Sequence, residues 1–400
     1  MLRASRASRF LFVTTLAFAV STALACSKRE ESSKPGPPAT AASSAVAVAS
    51  AAAAPNAFDL SDQLSSTAHT YELPAMAALV LKNGQVLASG VTGVRKLGDS
   101  APATLDDAWS IGACSKAITA TIAAMVVDEG KLSWSSTMGE LLPDMTIDPA
   151  LRSVTLDALL QHHAGLERDP PKALLDAALA GKDPSAARRD VVRALVAKPP
   201  ATAPGPYAYS NVAYLVVGVA LERATGKSFE ALAKERVFEP LAMRSCGFGS
   251  PAARPGGGPS GHAIVDGKLV PTAPAAETRI APLFAPSGAM HCALGDWAKF
   301  LRHHLRVPEG MTPLAKRESL MHLHTPLFDK KTASGFYIEP LEWSAGGALH
   351  QFGETGTSFA SAWLAPSMGL MFLVATNGYT ANTADAVDRT STALFKRFAK

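Results

Sequence analysis

The chain has 400 residues, of which 48% are hydrophobic, 18% charged and 7% aromatic, with a formal net charge of +4. So apolar a composition excludes a wholly disordered chain, and four cysteines cannot frame a disulfide-built mini-protein. Six of the 38 basic groups and two of the 34 acidic ones precede residue 57, so residues 57–400 carry 32 of each, a neutral body with no electrostatic footprint for nucleic acid.

In chain order the first element is an address. Arg3, Arg6 and Arg9 precede the apolar run Phe10 to Val20 and the small residues Ala23-Leu24-Ala25-Cys26. A basic n-region, a short h-region and small residues at the cleavage site are the layout of a secretory signal, expected over residues 1–25. The run of about 11 residues is too short for a bilayer core that needs roughly 20. Its end resembles a bacterial lipobox, in which Cys26 is lipidated and becomes the mature N-terminus; ordinary cleavage with an incidental cysteine is the alternative. Residues 26–56 are Ser/Pro/Ala-rich and lack aromatic residues, as suits a tether between an anchor and a folded domain at 57–400. The expected setting is the cell envelope, on the periplasmic or cell-surface side, with the lipid bilayer as a partner.

The body opens on a hairpin. Ala75 to Leu81 and Gln85 to Gly90 are apolar runs around Asn83-Gly84, the strongest short-range hairpin signal. Lys116 to Glu129 reads as a helix with Ile118, Ile122, Met125 and Val126 on one face and Gly130 as its stop. A second helix is expected at Thr155–His162, short amphipathic pieces across 165–205, and a further helix from Val212 to Ala224 closed by Thr225-Gly226. Residues 250–262 form a Gly/Pro-rich loop. Phe359–Ala365 and Leu370–Thr376 flank a turn at Pro366-Ser367-Met368-Gly369, and Asp385–Lys400 closes as an amphipathic helix. Strands from both ends must then share one antiparallel sheet around a largely helical middle, an α+β fold. Of the cysteines in the body, Cys246 and Cys292 are the pair best placed to bond in an exported protein, but three separate buried thiols, Cys114 included, are the simpler reading.

Three short segments carry the chemistry. Tyr209-Ser210-Asn211 is followed by Glu222-Arg223-Ala224-Thr225-Gly226-Lys227 and Glu239-Pro240-Leu241-Ala242-Met243. Leu159-Leu160-Gln161-His162-His163-Ala164-Gly165-Leu166 precedes them. Ser287-Gly288-Ala289-Met290 through Asp296-Trp297-Ala298-Lys299-Phe300 and a late Asn377-Gly378 follow. This co-linear set, over roughly residues 70 to 380, resembles the serine β-lactamase family, in the branch that holds class C β-lactamases, D-alanyl-D-alanine carboxypeptidases and related esterases. The resemblance implies an antiparallel sheet flanked by helices plus a helical lobe. It also implies a serine nucleophile at a helix start, a lysine one turn on that helps to deprotonate it, a tyrosine that shuttles the proton and an asparagine that orients substrate. A Lys/His-x-Gly strand beside them binds a substrate carboxylate, and two backbone N–H groups form the oxyanion hole.

The sequence departs from that pattern twice. Ile111-Gly112-Ala113-Cys114-Ser115-Lys116 matches Ile-Gly-Ser-x-x-Lys except that Ala113 stands at the nucleophile position. Cys114, Ser110 and Ser115 are the neighbouring nucleophiles. A one-residue shift turns a helical side chain by about 100°, which points Cys114 and Ser115 away from Lys116, and Ser110 precedes the helix. Of these Cys114 is the best chemical substitute, although free cysteines usually pack as small hydrophobes. In His350-Gln351-Phe352-Gly353-Glu354-Thr355-Gly356-Thr357-Ser358, the glycines of the third motif align as Gly353 and Gly356. Glu354 then stands where His or Lys belongs, and Thr357 supplies the second oxyanion N–H. A carboxylate there repels a substrate carboxylate; it either faces the pocket, where Lys116 is a candidate partner, or points to solvent.

Two functional readings follow. The first is a membrane-tethered, catalytically impaired or inactive member of the family whose pocket, with Lys116, Tyr209, Asn211, Glu354, Gly356 and Thr357, binds a small molecule or a peptide such as a cell-wall peptide. The second is an active β-lactamase-, esterase- or carboxypeptidase-type hydrolase that uses Cys114 or Ser110. His162-His163, His303-His304 and His322/His324 lack metal-motif spacing, and no Gly-rich phosphate loop precedes a helix, so neither a metal nor a cofactor is expected.

Overall fold

The computed structural model describes residues 57–399 apart from 181–182, 306–313 and 341–346. The expected signal, Cys26 and the tether lie outside the described residues. The N-terminal part runs β1 (Phe58–Asp59), α1 (Ser61–Thr70), β2 (Ala75–Lys82), β3 (Gln85–Gly93), β4 (Trp109–Ser110), α2 (Ser115–Asp128), α3 (Met138–Leu141), α4 (Leu156–Leu160), α5 (Lys172–Leu179), α6 (Pro184–Val196), α7 (Asn211–Thr225) and α8 (Phe229–Ala233). The middle holds β5 (Gly247–Phe248), β6 (His262–Val265), β7 (Lys268–Pro271), α9 (Pro274–Phe284), β8 (Met290–Cys292), α10 (Leu294–Leu305) and α11 (Arg317–Leu323). The chain closes with β9 (Thr332–Ala333), β10 (Phe336–Glu339), β11 (Ala348–Glu354), β12 (Phe359–Ala365), β13 (Leu370–Thr376) and α12 (Thr383–Phe398).

Among the described residues one sheet has eight strands in the order β1-β3-β2-β13-β12-β11-β10-β9, antiparallel except for the β1–β3 pair. The two expected hairpins pair at its centre through β2 and β13, Thr376 facing Met76 and Leu370 facing Lys82. Asn83 and Gly84 both take positive φ, 52° and 80°, the backbone that a two-residue hairpin turn requires. β13 is buried along its whole length, and the pleat divides its side chains. Leu370, Phe372 and Val374 pack with Leu64 of α1 and Leu394 of α12. Met371, Leu373 and Ala375 face the helical lobe with Ile118, Ile122 and Val126 of α2. The architecture is thus the expected α+β one, a sheet covered on both faces with a helical lobe.

α2 is buried from Ser115 to Val126 on every side, so the one-faced pattern expected for it understates its burial: a helix apolar all round is a core helix. The stretch 165–205 contains two helices, α5 and α6, and the second carries Arg188. That guanidinium is fully buried and donates to Glu222 of α7, to Glu230 of α8 and to the Pro282 and Leu283 carbonyls of α9. A single buried cation, satisfied by two carboxylates and two carbonyls, therefore ties four helices of the lobe together.

The expectation of three separate thiols is corrected: Cys246 and Cys292 form a disulfide, and Cys114 is the free, buried cysteine. β5 pairs with β8, Gly247 opposite His291, and this brings the two Cα atoms to 4.1 Å. No local pattern carries that pairing. β8 also pairs with β4, Trp109 opposite Cys292 and Ser110 opposite His291, so the disulfide lies beside the strand that leads into α2.

Candidate active site

A tight 3-10 turn, Gly112–Cys114, connects β4 to α2 and places Ala113 at the helix start. Gly112 has φ +50°, and a Cβ there would lie 2.9 Å from the Gly353 carbonyl carbon. A Cβ on Gly353 would come within 2.1 Å of the Ile111 carbonyl oxygen and 2.5 Å of the Ala113 nitrogen. Two glycines thus let β11 lie backbone to backbone against the helix start, closer than any side chain allows.

Lys116 follows Ala113 by three residues, one turn on, and is 3% exposed. Its Nζ donates to Asn211 Oδ1 at 2.6 Å and to the Ser287 carbonyl at 2.5 Å. Burial pushes its pKa from 10.5 down to about 7, against the opposing pull of Asp169. A neutral amine has two N–H groups and one lone pair. With both N–H groups taken by these two acceptors, the lone pair is left to act as a base.

The Tyr209-Ser210-Asn211 segment enters α7 through a side-chain cap. Ser210 Oγ accepts from the Ala213 N–H at 2.9 Å and donates to the Glu167 carbonyl at 2.6 Å. His162, held neutral by burial first and by Lys116 second, accepts the Ser210 N–H on Nδ1 at 3.1 Å. Its ring lies 4.5 Å from that of Tyr209, so His162 buttresses the loop. Asn211 Nδ2 donates to Asp169 Oδ1 at 2.7 Å, which orients the amide with Oδ1 toward Lys116 and the Tyr209 hydroxyl, the latter at 3.4 Å. The Lys116 ammonium also stands 5.0 Å from the Tyr209 ring centre, and burial raises the pKa of that phenol.

A cleft of about 380 Å³ is lined by Ser110, Ala113, Tyr209 and Asn211, by Arg168 and Asp169 from the loop before α5, by Glu277 of α9, and by Glu354, Gly356 and Thr357. Gly356 makes the turn beyond β11 with φ +76°. The Thr357 N–H lies 3.4 Å from Thr355 Oγ1. Glu354 does not reach Lys116. Its Oε1 accepts from Arg168 at 3.0 Å and its Oε2 from the Tyr379 hydroxyl at 2.6 Å, a hydrogen bond that raises the phenol's pKa.

The neighbouring nucleophiles are distributed differently from the sequence ranking. Cys114 is fully buried with its Sγ 3.8 Å from the Ala360 carbonyl, and burial drives its thiol pKa up, so it presents neither a thiolate nor a face to the cleft. Ser115 is fully buried as well. Ser110 is the one that lines the cleft.

Arg168, Asp169, Glu277 and Tyr379 were not identified from the sequence. For the first two the available signal is a charged run, Glu167-Arg168-Asp169, directly after a motif segment and before Pro170-Pro171; Glu277 and Tyr379 carry no local signal. Three of the other histidines singled out in the sequence pair structurally: His304 bonds Thr121 at 3.1 Å and His324 at 2.9 Å, and His322 bonds Asp157 at 2.7 Å. No group of three or more His, Cys, Asp or Glu side chains placed to hold a metal ion occurs among the described residues.

Comparison with known proteins bears on the family and the fold. Penicillin-binding protein 4 of Amycolatopsis lactamdurans is 30% identical over 179 residues, which cover 43% of this chain and 44% of that one. An unguisins hydrolase of Aspergillus campestris is 24% identical over 269 residues, 64% of this chain and 48% of that one. The chain thus spans about half the length of these curated relatives. The octameric penicillin-binding protein homologue from Pyrococcus abyssi superposes with a TM-score of 0.70 at 20% identity, over 84% of this chain and 76% of that one, a likeness of fold. A family model described as Beta-lactamase matches residues 50–396, and the chain therefore belongs to the beta-lactamase family.

Proposed function

We propose that this is a membrane-tethered member of the family that is catalytically impaired or inactive and keeps its cleft as a binding pocket for a small molecule or a peptide, a cell-wall peptide among them. The observation that carries the proposal is Ala113 at the helix start, one turn before a buried, partly neutral lysine. Nucleophilic catalysis needs nucleophile and base together, and a methyl group stands where the nucleophile belongs. The burial of Cys114 and Ser115 removes two substitutes.

Export and lipid anchoring rest on the n-region, h-region and Ala23-Leu24-Ala25-Cys26 layout. The Cys246–Cys292 disulfide supports an oxidising compartment. Among the described residues no helix is long and apolar enough to cross a membrane; the tether proposed, on that N-terminal layout, is the lipid on Cys26.

One observation favours a second reading, that of an active hydrolase. Ser110 lines the cleft together with Ala113 and Tyr209, and it replaces Cys114 as the best alternative nucleophile. The discriminating experiment is intact-protein mass spectrometry after exposure to a fluorophosphonate or a penicillin. The impaired-enzyme reading expects no adduct; a stoichiometric adduct on Ser110 refutes it. Lipidation is tested by metabolic labelling with a palmitate analogue in a bacterial host, with Cys26→Ser as the control that loses the label.

A further inference from the structure

We infer that the cleft takes its ligand by a free amino group, an amino-acid amide or small peptide presented amine first, the reverse of the carboxylate-first capture that the third motif of the family performs. The inference rests on the reading of the cleft as a ligand pocket.

The first observation is the sign of the charge on the walls. Among the described residues that line the cleft, Asp169, Glu277 and Glu354 stand against the single guanidinium of Arg168. Arg168 lies 3.0 Å from Glu354 and 3.5 Å from Asp169, so it offsets one of those charges. Glu277 Oε1 accepts from the Thr272 hydroxyl at 2.6 Å and from that of Thr357 at 3.2 Å. Uncharged donors fix its position and leave its charge in place. Lys116 donates to Asn211 and to the Ser287 carbonyl, both residues of the cleft lining, and its charge offsets part of that of Asp169, which still leaves the carboxylates in excess. A half-enclosed cleft with excess negative charge attracts an ammonium group and repels a carboxylate.

The second observation is independent of charge. Gln351 lies on β11 two residues before Gly353, so both face the helix start. It is 2% exposed, and among the described residues neither atom of its amide has a hydrogen-bond partner. It lines a cavity of about 30 Å³ together with Lys116, Ala113 and Tyr209, and the last two also line the cleft. A buried unpaired amide is destabilising unless something meets it. The cavity admits one group about the size of a water molecule, which suits the carbonyl oxygen of an aminoacyl group, accepting from the Gln351 amide while the amine lies among the carboxylates.

The test is a calorimetric titration of the full chain with two probes, each in both stereochemical series. Alanylalaninamide has a free amine and no carboxylate; N-acetylalanylalanine has a carboxylate and no amine. The amide is expected to bind about tenfold or more tighter, Glu277→Gln to reduce that preference severalfold, and Glu354→Lys to reverse it. An N-acetylated acid that binds as tightly as the amide, or no binding of either probe at millimolar concentration, overturns the inference, and neither result depends on a variant folding. Product analysis of the same samples separates the two proposals. Hydrolysis of a probe refutes the impaired-enzyme reading and leaves the amine preference to be read from the titration; an acid preference without hydrolysis overturns only the amine-first inference.

Discussion

Replacing Ala113 by serine tests whether the rest of the machinery is intact. The substitution adds one hydroxyl beside a cavity of about 30 Å³ that Ala113 and Lys116 both line, enough for an oxygen of that size. Lys116 keeps both N–H groups on Asn211 and Ser287 and offers its lone pair. With a pKa of about 7, the neutral fraction of the amine is roughly 9% at pH 6 and 91% at pH 8. The groups around it are Asp169, Arg168, Tyr209, His162 and Cys114; the two last-named side chains are held uncharged by burial over this range, so the lysine dominates the profile. Fluorophosphonate labelling of Ala113→Ser should therefore rise about tenfold from about pH 6 to about pH 8 and then level off. General-base assistance supplies roughly a hundredfold or more over an unassisted serine, and adding Lys116→Met should remove it. Mass spectrometry locates the adduct on the introduced serine, and a thermal melt confirms that the variant is folded. A folded variant that is not labelled, or one labelled at a pH-independent rate, refutes the assignment of Lys116 as a competent base.

Three further outcomes follow from the geometry. Lys116→Met should stabilise the fold by about 1–4 kcal/mol near pH 6 and by less near pH 9, because the ammonium is charged in both states at the lower pH but only in the unfolded chain at the higher one; denaturant melts at the two pH values check it, and a pH-independent gain contradicts it. Replacing Cys246 and Cys292 together by alanine releases a link of sequence separation 46 and should cost about 2–4 kcal/mol, read as a lower melting temperature that a reductant reproduces in the parent chain and does not change in the variant. Gly353→Ala drives a Cβ to 2.1 Å from the Ile111 carbonyl, so β11 must part from the helix start at a cost of about 1–3 kcal/mol or more, with loss of whatever ligand binding the parent displays in calorimetry.

Elements with local signals were legible from the residues alone. The helix expected over Lys116–Glu129 runs Ser115–Asp128, and the one expected over Val212–Ala224 runs Asn211–Thr225 because Ser210 caps it and Gly226, at φ 71°, ends it. The hairpin at Asn83-Gly84 is equally local. The shared sheet of the two terminal hairpins was legible too, but the pairing of very short strands was not. β8 is three residues long, and only its contacts with β4 and β5 bring Cys246 to Cys292. In the site, Ala113, Lys116, Tyr209 and Asn211 come together as their motifs imply. Of the acidic wall, Glu354 follows from the altered third motif, whereas Asp169 and Glu277 follow from none, since they arrive from a loop and a helix far from it in the chain.

The retained lysine is the strongest argument that the cleft is used. Burial holds the amine at about 7 rather than 10.5, so below pH 7 the folded state carries a buried ammonium at a cost of about 1–4 kcal/mol relative to an apolar side chain, a sizeable share of a domain's stability. A methionine would fill similar volume without that cost. On the proposed reading the missing nucleophile removes the reason for a general base, but Lys116 stays fastened to Asn211, and Asn211 to Asp169, within one hydrogen-bonded set. Asp169 in turn lies against Arg168, which holds Glu354. Lys116 is therefore the buried end of the network whose other end forms the cleft wall, and removing it frees the Asn211 amide to turn. On this reasoning Lys116→Met should weaken ligand binding as well as stabilise the fold. Asn211→Ala, which breaks the same chain one link nearer the wall, should weaken binding without the pH-dependent gain in stability, and equal binding by all three proteins would mark the lysine as a relic.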